Sequence, residues 1–139
     1  MTEDDLKKRT KQFALRILKL VAALPKTIAG RTIGNQLARS GTSVAANYRA
    51  ACRGRSKAEF IAKLGVVEEE ADESALWLEL IIEGDLLKKE LVQPLWNEAN
   101  ELVAIMTSSR KSAGRSIVTV APGRRSGRNT PIANQKSKI

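Results

Sequence analysis

Arginine side chains are concentrated in one short segment of the chain, between Asn35 and Phe60. The segment reads NQLARSGTSVAANYRAACRGRSKAEF and contains four arginines, one lysine and a single acid, Glu59. The guanidinium group is planar and donates forked hydrogen bonds, which suits it to phosphate and carboxylate groups. Three interpretations are open: a helix that binds something acidic, a loop that holds a phosphate, or a bundle helix with a solvated basic face.

Two pairs of glutamates form the other motif with chemical potential. Glu70 precedes Glu73 by three positions, as Glu98 precedes Glu101, so each pair lies on one face of a helix. Carboxylate pairs on bundle helices can hold Mg²⁺, as they do in all-α nucleotide pyrophosphohydrolases. Acids at this spacing are also common on ordinary helices, and Glu70 and Glu73 point away from the predicted apolar seam. We therefore expect no metal and no cofactor, and the pyrophosphohydrolase is the least favoured alternative.

The chain contains no histidine and one cysteine, Cys52. Without histidine, sites of the Ser-His-Asp, Cys-His and HExxH types are excluded, and a single cysteine forms no internal disulfide. Cys52 is interpreted as a small buried residue, because no histidine is available to activate it as a nucleophile. The sequence therefore favours a protein that is not an enzyme, and the absence of disulfides favours the reducing cytoplasm.

Helices are the elements predicted to position these residues. Aromatic residues make up only 4% of the chain, and Leu, Ala, Val and Ile supply its apolar content, which is typical of packed helices. The first helix is predicted over Glu3–Leu24, and the second from Lys26 or Thr32 to Arg53. The third runs from Ser56, its N-cap, to Glu83. After a short turn or linker over Leu86–Val92, the fourth is predicted over Pro94–Lys111. Short connections between them predict an all-α, up-down-up-down antiparallel four-helix bundle.

Charge and composition divide the chain into a bundle and a tail. Residues 6–66 hold 14 Lys and Arg against one acid, residues 67–106 hold two against 11, and residues 107–139 hold eight against none. We predict one four-helix domain over residues 1–111 and a basic, disordered tail over residues 112–139 that contains the strand-prone segment SIVTV. The basic half could face nucleic acid or pair with the acidic half of another subunit. No apolar run is long enough to span a membrane, so no membrane partner is expected.

The second helix carries three different faces on a helical wheel. The core face is formed by Ile33, Leu37, Ser40, Val44, Tyr48 and Ala51. The opposite ridge is formed by Asn35, Arg39, Thr42, Ala46, Arg49 and Arg53. A third stripe holds the small residues Gly34, Ala38, Gly41, Ala45 and Cys52. Glycines inside a helix predict the close approach of another backbone, which is either the first helix or a neighbouring subunit.

We expect the basic ridge and the turn after it to contact the phosphate backbone of RNA or DNA. The predicted contact residues are Arg39, Arg49, Arg53, Arg55, Lys57 and Lys63. Few aromatic residues are available to stack on bases, so recognition of shape and backbone is expected, with strong salt dependence. The predicted helix or subunit interface consists of Gly34, Gly41, Ala45, Glu70 and Trp77.

One long stretch of the chain resembles a known family. The stretch QLARSGTSVAANYRAACRGRSKAEFIAKLGVVEEEADESALWLEL is similar to the signature of bacterial four-helix-bundle proteins encoded in intervening sequences of 23S ribosomal RNA genes. The matching residues are Gln36, Arg39, Ser40, Ser43, Ala46, Asn47, Arg49, Arg53, Ser56, Phe60, Lys63, Leu64, Glu70, Glu73, Trp77 and Leu78. The resemblance extends over roughly residues 10–110. The family it points to is related in fold to the accessory variability proteins of diversity-generating retroelements.

The resemblance implies an assembly and a partner that the residues alone do not. It implies a homopentameric ring with a central channel and a role associated with nucleic acid. In the retroelement relatives, the basic ring surface engages RNA and a reverse transcriptase, so such an enzyme is an implied partner. The alternative is a scaffold that binds protein but no nucleic acid and that uses the acidic face from Glu68 to Glu79.

Overall fold

The structure, a computed structural model, describes residues 1–120, with side chains to residue 115. It contains four α-helices in this order: α1 (Glu3–Ala22), α2 (Ile28–Cys52), α3 (Lys57–Glu83) and α4 (Lys89–Val120). Each helix packs antiparallel on the one before it, whereas α1 and α4 approach each other much less closely. The predicted all-α four-helix bundle is confirmed. Across residues 1–120, no helix has the combination of length and apolar character that crossing a bilayer requires.

Side-chain caps begin the second and third helices. The Thr27 hydroxyl accepts a hydrogen bond from the amide of Gly30, so α2 starts between the two positions that the sequence left open. The Ser56 hydroxyl accepts one from the amide of Glu59, as predicted. The Glu59 carboxylate bonds to the amide of Arg55 at 2.8 Å, so it closes the turn one residue before the position expected for a capping box.

The fourth helix is longer at both ends than its sequence indicated. It begins at Lys89, and Pro94 lies inside it, because Val92 and Leu95 are buried in the core and their packing outweighs the backbone bond that proline cannot make. It also continues beyond the predicted end at Lys111 to Val120, and its residues up to Ala113 lie beside the start of the antiparallel α3. Residues 112–120, including SIVTV, are therefore helical, and the rest of the predicted tail lies outside the described residues.

The apolar seam predicted for α3 forms the centre of the bundle. Its buried members are Leu64, Val67, Ala71, Ser74, Leu78 and Ile81, and Phe60 is half-buried at the end. On α2 the buried members of the predicted core face are Leu37, Ser40, Val44, Tyr48 and Ala51. These predictions are confirmed because helical periodicity alone decides which side of a helix is apolar.

A buried hydrogen bond joins α2 to α3 in this core. The hydroxyls of Ser40 and Ser74 lie 2.8 Å apart, and both residues are fully inaccessible to solvent. Ser74 also donates to the carbonyl of Glu70 in its own helix. Because a buried hydroxyl without a partner is costly, the pair favours the one axial alignment of α2 and α3 in which both serines meet.

The small-residue stripe of α2 faces α1 of the same chain. A Cβ atom on Gly41 would lie 2.8 Å from Cγ2 of Ile17, and one on Gly34 would lie 3.3 Å from side-chain atoms of Val21 and Leu24. Both glycines are buried, and Ala45 on the same stripe is half-buried. Of the two alternatives for these glycines, the structure shows the close approach of the first helix.

Candidate nucleic-acid interface

Five cationic side chains stand exposed around the connection between α2 and α3. Arg49 lies in the last turn of α2, Arg53 is its C-cap, Arg55 is in the turn, and Lys57 and Lys63 belong to the first two turns of α3. We call these five residues the basic joint. Within the described chain none of the five forms an ion pair, and the carboxylate of Glu59 is engaged by a backbone amide. Their charge is therefore open to solvent and to ligands.

Arg39 belongs to the same ridge but has a different environment. Its guanidinium contacts Oε2 of Glu73 at 2.5 Å and Oε1 of Glu70 at 3.4 Å, both on α3. The hydrogen bond to Glu73 is the main cause that raises the pKa of Arg39. Arg39, which was predicted to contact phosphate, thus has carboxylate partners on the neighbouring helix of its own chain. These partners leave less attraction for an external anion.

Glu70 and Trp77, predicted as interface residues, take part in this same contact between α2 and α3. The indole Nε1 of Trp77 donates to Oε2 of Glu73 at 3.1 Å. Partial burial alone would raise the pKa of Glu73, but hydrogen bonds from Trp77 and Arg39 outweigh it and lower that pKa. The cluster is a helix–helix contact within the chain.

Both glutamate pairs that suggested a metal site bind an arginine of a neighbouring helix. Glu70 and Glu73 hold Arg39, and on α4 the other pair holds Arg9 of α1, whose Nε lies 2.7 Å from Oε2 of Glu98. Two carboxylates one helical turn apart match the several donors of one guanidinium. Within residues 1–115 no group of three or more acidic or cysteine side chains is placed to hold a metal ion.

A further ion pair joins α3 and α4, and sequence reasoning missed it. Glu68 accepts two hydrogen bonds from Arg110, at 2.8 and 3.0 Å, and one from the hydroxyl of Thr107 at 2.7 Å. The only sequence signal is that an acid on one helix and a base on another fall on polar faces. Their meeting depends on the alignment of α3 with α4, which no local pattern specifies.

The packing of Cys52 agrees with its predicted structural role. The residue is half-buried beside Tyr48, which is only 2% exposed. Burial raises the pKa of the Cys52 thiol, and burial likewise raises that of the Tyr48 hydroxyl. A raised pKa leaves less of the reactive thiolate near neutral pH.

An open groove lies beside the basic joint, between the start of α3 and the C-terminal part of α4. It has a volume of about 440 Å³. Its lining residues are Lys57, Phe60, Ser108, Ser109, Ser112 and Ala113. None of the four α4 residues was predicted as a site residue from the sequence. Ser112 and Ala113 fell in the predicted tail, and Ser108 and Ser109 face a helix that is distant in sequence.

Comparison with known families identifies the fold's relatives. The family described as 23S rRNA-intervening sequence protein matches this chain over residues 3–108. The chain belongs to this family. The matched range contains α1, α2, α3 and most of α4, together with the whole basic joint. The resemblance inferred from the stretch Gln36–Leu80 is confirmed.

A crystal structure from the same group of proteins shows the same architecture. It is a protein of unknown function from the S23 ribosomal protein family of Bacteroides thetaiotaomicron VPI-5482, solved at 1.70 Å resolution. The two chains are 32% identical, the match covers 80% of this chain and 99% of the other, and the TM-score is 0.72. No curated protein matches the chain in sequence.

Proposed function

We propose that this family member is a non-enzymatic accessory protein that binds the phosphate backbone of RNA or DNA through the basic joint. The observation that carries the proposal is a contrast among its arginines. Arg9, Arg39 and Arg110 are each held by carboxylates of a neighbouring helix, whereas the joint residues have no acidic partner in the described chain. Unpaired cations gathered at one end of a helical bundle form the electrostatic footprint of a nucleic-acid surface.

Backbone binding through these residues has a clear thermodynamic signature. Each neutralised phosphate releases condensed counterions, so the logarithm of the binding constant falls with the logarithm of salt concentration by about 0.7 per contact on a single strand. Arg49 and Arg53 lie one helical turn apart and both point outward, so one strand can reach both. We infer that these two arginines contribute separate phosphate contacts.

The double variant Arg49→Ala/Arg53→Ala tests this surface. We expect it to bind a mixed-sequence single-stranded RNA more weakly at low salt and to lower the magnitude of the salt slope by about 1.4, which is two contacts at about 0.7 each. The measurement is fluorescence anisotropy over a series of salt concentrations. The matched control is Lys19→Ala/Lys26→Ala, which removes the same charge from exposed positions at the opposite end of the bundle, in α1 and in the turn before α2.

The control separates the joint from net charge. Equal weakening in both double variants would show that only overall charge attracts RNA and would overturn the assignment to the joint. A wild-type chain that binds no nucleic acid at any salt concentration would overturn the proposed function and leave the protein-binding scaffold.

The carboxylate geometry supports the non-enzymatic part of the proposal. In each glutamate pair one of the two negative charges is already neutralised by a guanidinium from the neighbouring helix, and displacing Arg9 or Arg39 would break a contact between helices. Hydrolysis of nucleoside triphosphates by the purified chain with Mg²⁺ would contradict this and restore the pyrophosphohydrolase alternative.

We further propose that the chain assembles into a ring, through complementary outer faces of α1 and α3. On α1 the face opposite the core carries Lys8, Lys11, Leu15 and Leu18. On α3 the face opposite the core carries Glu69, Asp72, Leu76 and Leu80. All eight residues are exposed, and the four leucines are between 39% and 52% accessible. In both helices a charged pair precedes a leucine pair. The charged pair of α1 is positive and that of α3 is negative.

The direction of the helices makes these faces suitable for a closed ring. Because α1 and α3 run the same way on opposite sides of the bundle, α1 of one copy can lie beside α3 of the next with lysines next to acids and leucines next to leucines. Repetition of one such head-to-tail contact closes a ring when the rotation from one copy to the next divides a full turn. The number of subunits, five by the family resemblance, is set by the angle of this contact and is part of the proposal.

Leu76→Asp is the variant that tests the ring. We expect the wild type to have a mass five times that of the chain, and Leu76→Asp to shift the mass towards the single chain, because the acid would be buried against the leucines of α1. Light scattering after size exclusion measures both. The matched control is Leu91→Asp, at an exposed position of α4 outside either face. A monomeric wild type, or equal masses for both variants, would contradict this interface.

The reverse transcriptase implied by the resemblance stays a prediction, as does the cytoplasmic location. Neither follows from a contact of the described residues. The protein-binding scaffold is the alternative that shares the ring but lacks the nucleic acid.

A further inference from the structure

We propose that the groove between α3 and α4 holds one unstacked nucleobase of a single-stranded segment, with Phe60 as the stacking surface. This inference rests on the proposed function and specifies it further: the ligand is a strand with at least one unpaired base, and the protein contacts that base as well as its backbone. It differs from the pure backbone recognition that the low aromatic content suggested.

The position of the groove connects it directly to the basic joint. Lys57 is a member of the joint and also lines the groove, so a base in the groove and its phosphates at the joint can belong to one nucleotide stretch. The volume of about 440 Å³ lies within the range of about 300–1,000 Å³ that is typical of small-ligand sites. The groove is open along one side, which allows the base to enter while it stays part of a chain.

Phe60 supplies an aromatic surface that is fixed in place. The residue is half-buried because it packs against the bundle core, and it also lines the groove. A ring held by core packing loses little freedom when a base stacks on it. Every nucleobase has a π-face, so stacking on such a ring tolerates any sequence.

The remaining wall of the groove offers uncommitted hydroxyl groups. Elsewhere in the bundle Thr10, Thr107 and Ser74 donate to a carbonyl one turn earlier in their own helix. Ser108, Ser109 and Ser112 have no hydrogen-bond partner among the described residues. A hydroxyl can both donate and accept, so three of them can meet the varied edges of different bases.

The test compares two single-stranded DNA oligonucleotides of equal length and equal charge. One is abasic at every position except one, which carries 2-aminopurine, a base whose fluorescence is quenched by stacking, and the other is abasic throughout. For the full chain we expect quenching on binding, and about 5- to 160-fold weaker binding of the fully abasic strand, which corresponds to stacking of a single base. The phosphate contacts are the same in all these ligands.

Three variants connect the effect to the groove. Phe60→Leu keeps an apolar side chain but removes the ring, and it should abolish the quenching and the preference for bases, whereas Phe60→Tyr should keep both. Ser112→Leu places bulk in the groove from an exposed position and should act as Phe60→Leu does without touching the core. Ala104→Leu, at an exposed position of α4 outside the groove, is the matched control.

The possible outcomes separate this inference from the proposed function. Salt-dependent binding that is equal for the base-bearing and abasic strands, and unchanged in Phe60→Leu and Ser112→Leu, would overturn the groove and leave the basic joint intact. Absence of binding to every strand at low salt would overturn both. Loss of base preference in the two groove variants with unchanged melting temperature in Ser112→Leu would establish the groove.

Discussion

Replacement of Gly30 by alanine is expected to destabilise the bundle by about 1–3 kcal/mol, the usual range for forcing an extra methyl group into a packed site. Alanine is the better helix former, so propensity alone predicts the opposite sign. The reason is steric: a Cβ atom on Gly30 would lie 2.0 Å from the carbonyl oxygen of Pro25, which is backbone and cannot rotate away. The turn between α1 and α2 would have to shift, and with it the cap that Thr27 makes to Gly30.

Gly65→Ala is the matched control for this substitution. Gly65 also lies in a helix, but the nearest atom to its added Cβ would be Cδ of Arg110 at 3.8 Å, an ordinary contact. Without a clash the propensity gain remains, and we expect a stabilisation of about 0.5–1 kcal/mol. Urea unfolding of both variants at one fixed protein concentration measures the two free energies, and fixing the concentration removes any contribution of assembly. Changes of the same sign in both variants would contradict the steric argument.

Arg9→Met is expected to loosen the closure of the bundle between α1 and α4. The guanidinium donates to both carboxylate oxygens of Glu98, at 2.7 and 2.8 Å, and reaches Glu101 as well. Hydrogen bonding to Glu98 is the main cause that raises the pKa of Arg9. Because α1 and α4 otherwise approach little, this ion pair is the principal polar contact between them in the described chain.

We expect the substitution to cost about 1–2 kcal/mol of unfolding free energy. Hydrogen bonds to charged groups are each worth about 1.5–3 kcal/mol, and solvent screening reduces this because the Arg9 side chain is 25% exposed. Methionine keeps the apolar stem, so the loss reports the charged contact and not packing. The control is Arg16→Met, at an exposed position of α1 without a partner in the described chain, with an expected change within about 0.5 kcal/mol.

Hydrogen exchange gives this prediction a second and local readout. Amides of α1 should exchange faster in Arg9→Met, while those of α3, which lies between α2 and α4, should change little. Equal acceleration in all helices would mean that the ion pair supports the whole fold cooperatively. Unchanged stability in Arg9→Met would show that the contact is fully compensated by water and would contradict the expectation.

The interior of the bundle was largely predictable, because its signals are local. The spacing from Leu64 to Ile81 specifies the buried face of α3 whatever that helix packs against. Ser56 and Gly84 likewise bound α3 through the hydrogen bonds of a few adjacent residues. The fourth helix was less predictable, since Val92 near its start is buried and its part up to Ala113 lies against α3, and neither is a local property.

The candidate site was predictable only in part. The sequence identified Arg49, Arg53, Arg55, Lys57 and Lys63 as exposed cations, since polar faces follow from the same periodicity as apolar ones. It placed Arg39 with them, and the structure showed that two glutamates of α3 surround this arginine. The spacing of both glutamate pairs also left metal binding open as an alternative. In the structure each pair accepts hydrogen bonds from an arginine of a neighbouring helix.

Local patterns in the amino-acid sequence specify the helices, their polar and apolar sides and the basic character of the turn between α2 and α3. Which charges meet depends instead on how the helices pack. The face of a helix depends on residues a few positions apart, whereas the partner of a side chain depends on how far one helix slides along the next. That alignment results from packing contacts such as those of Ser40 with Ser74 and of Gly41 with Ile17. It leaves the basic joint without acidic partners, while it brings Arg9, Arg39 and Arg110 to carboxylates of neighbouring helices.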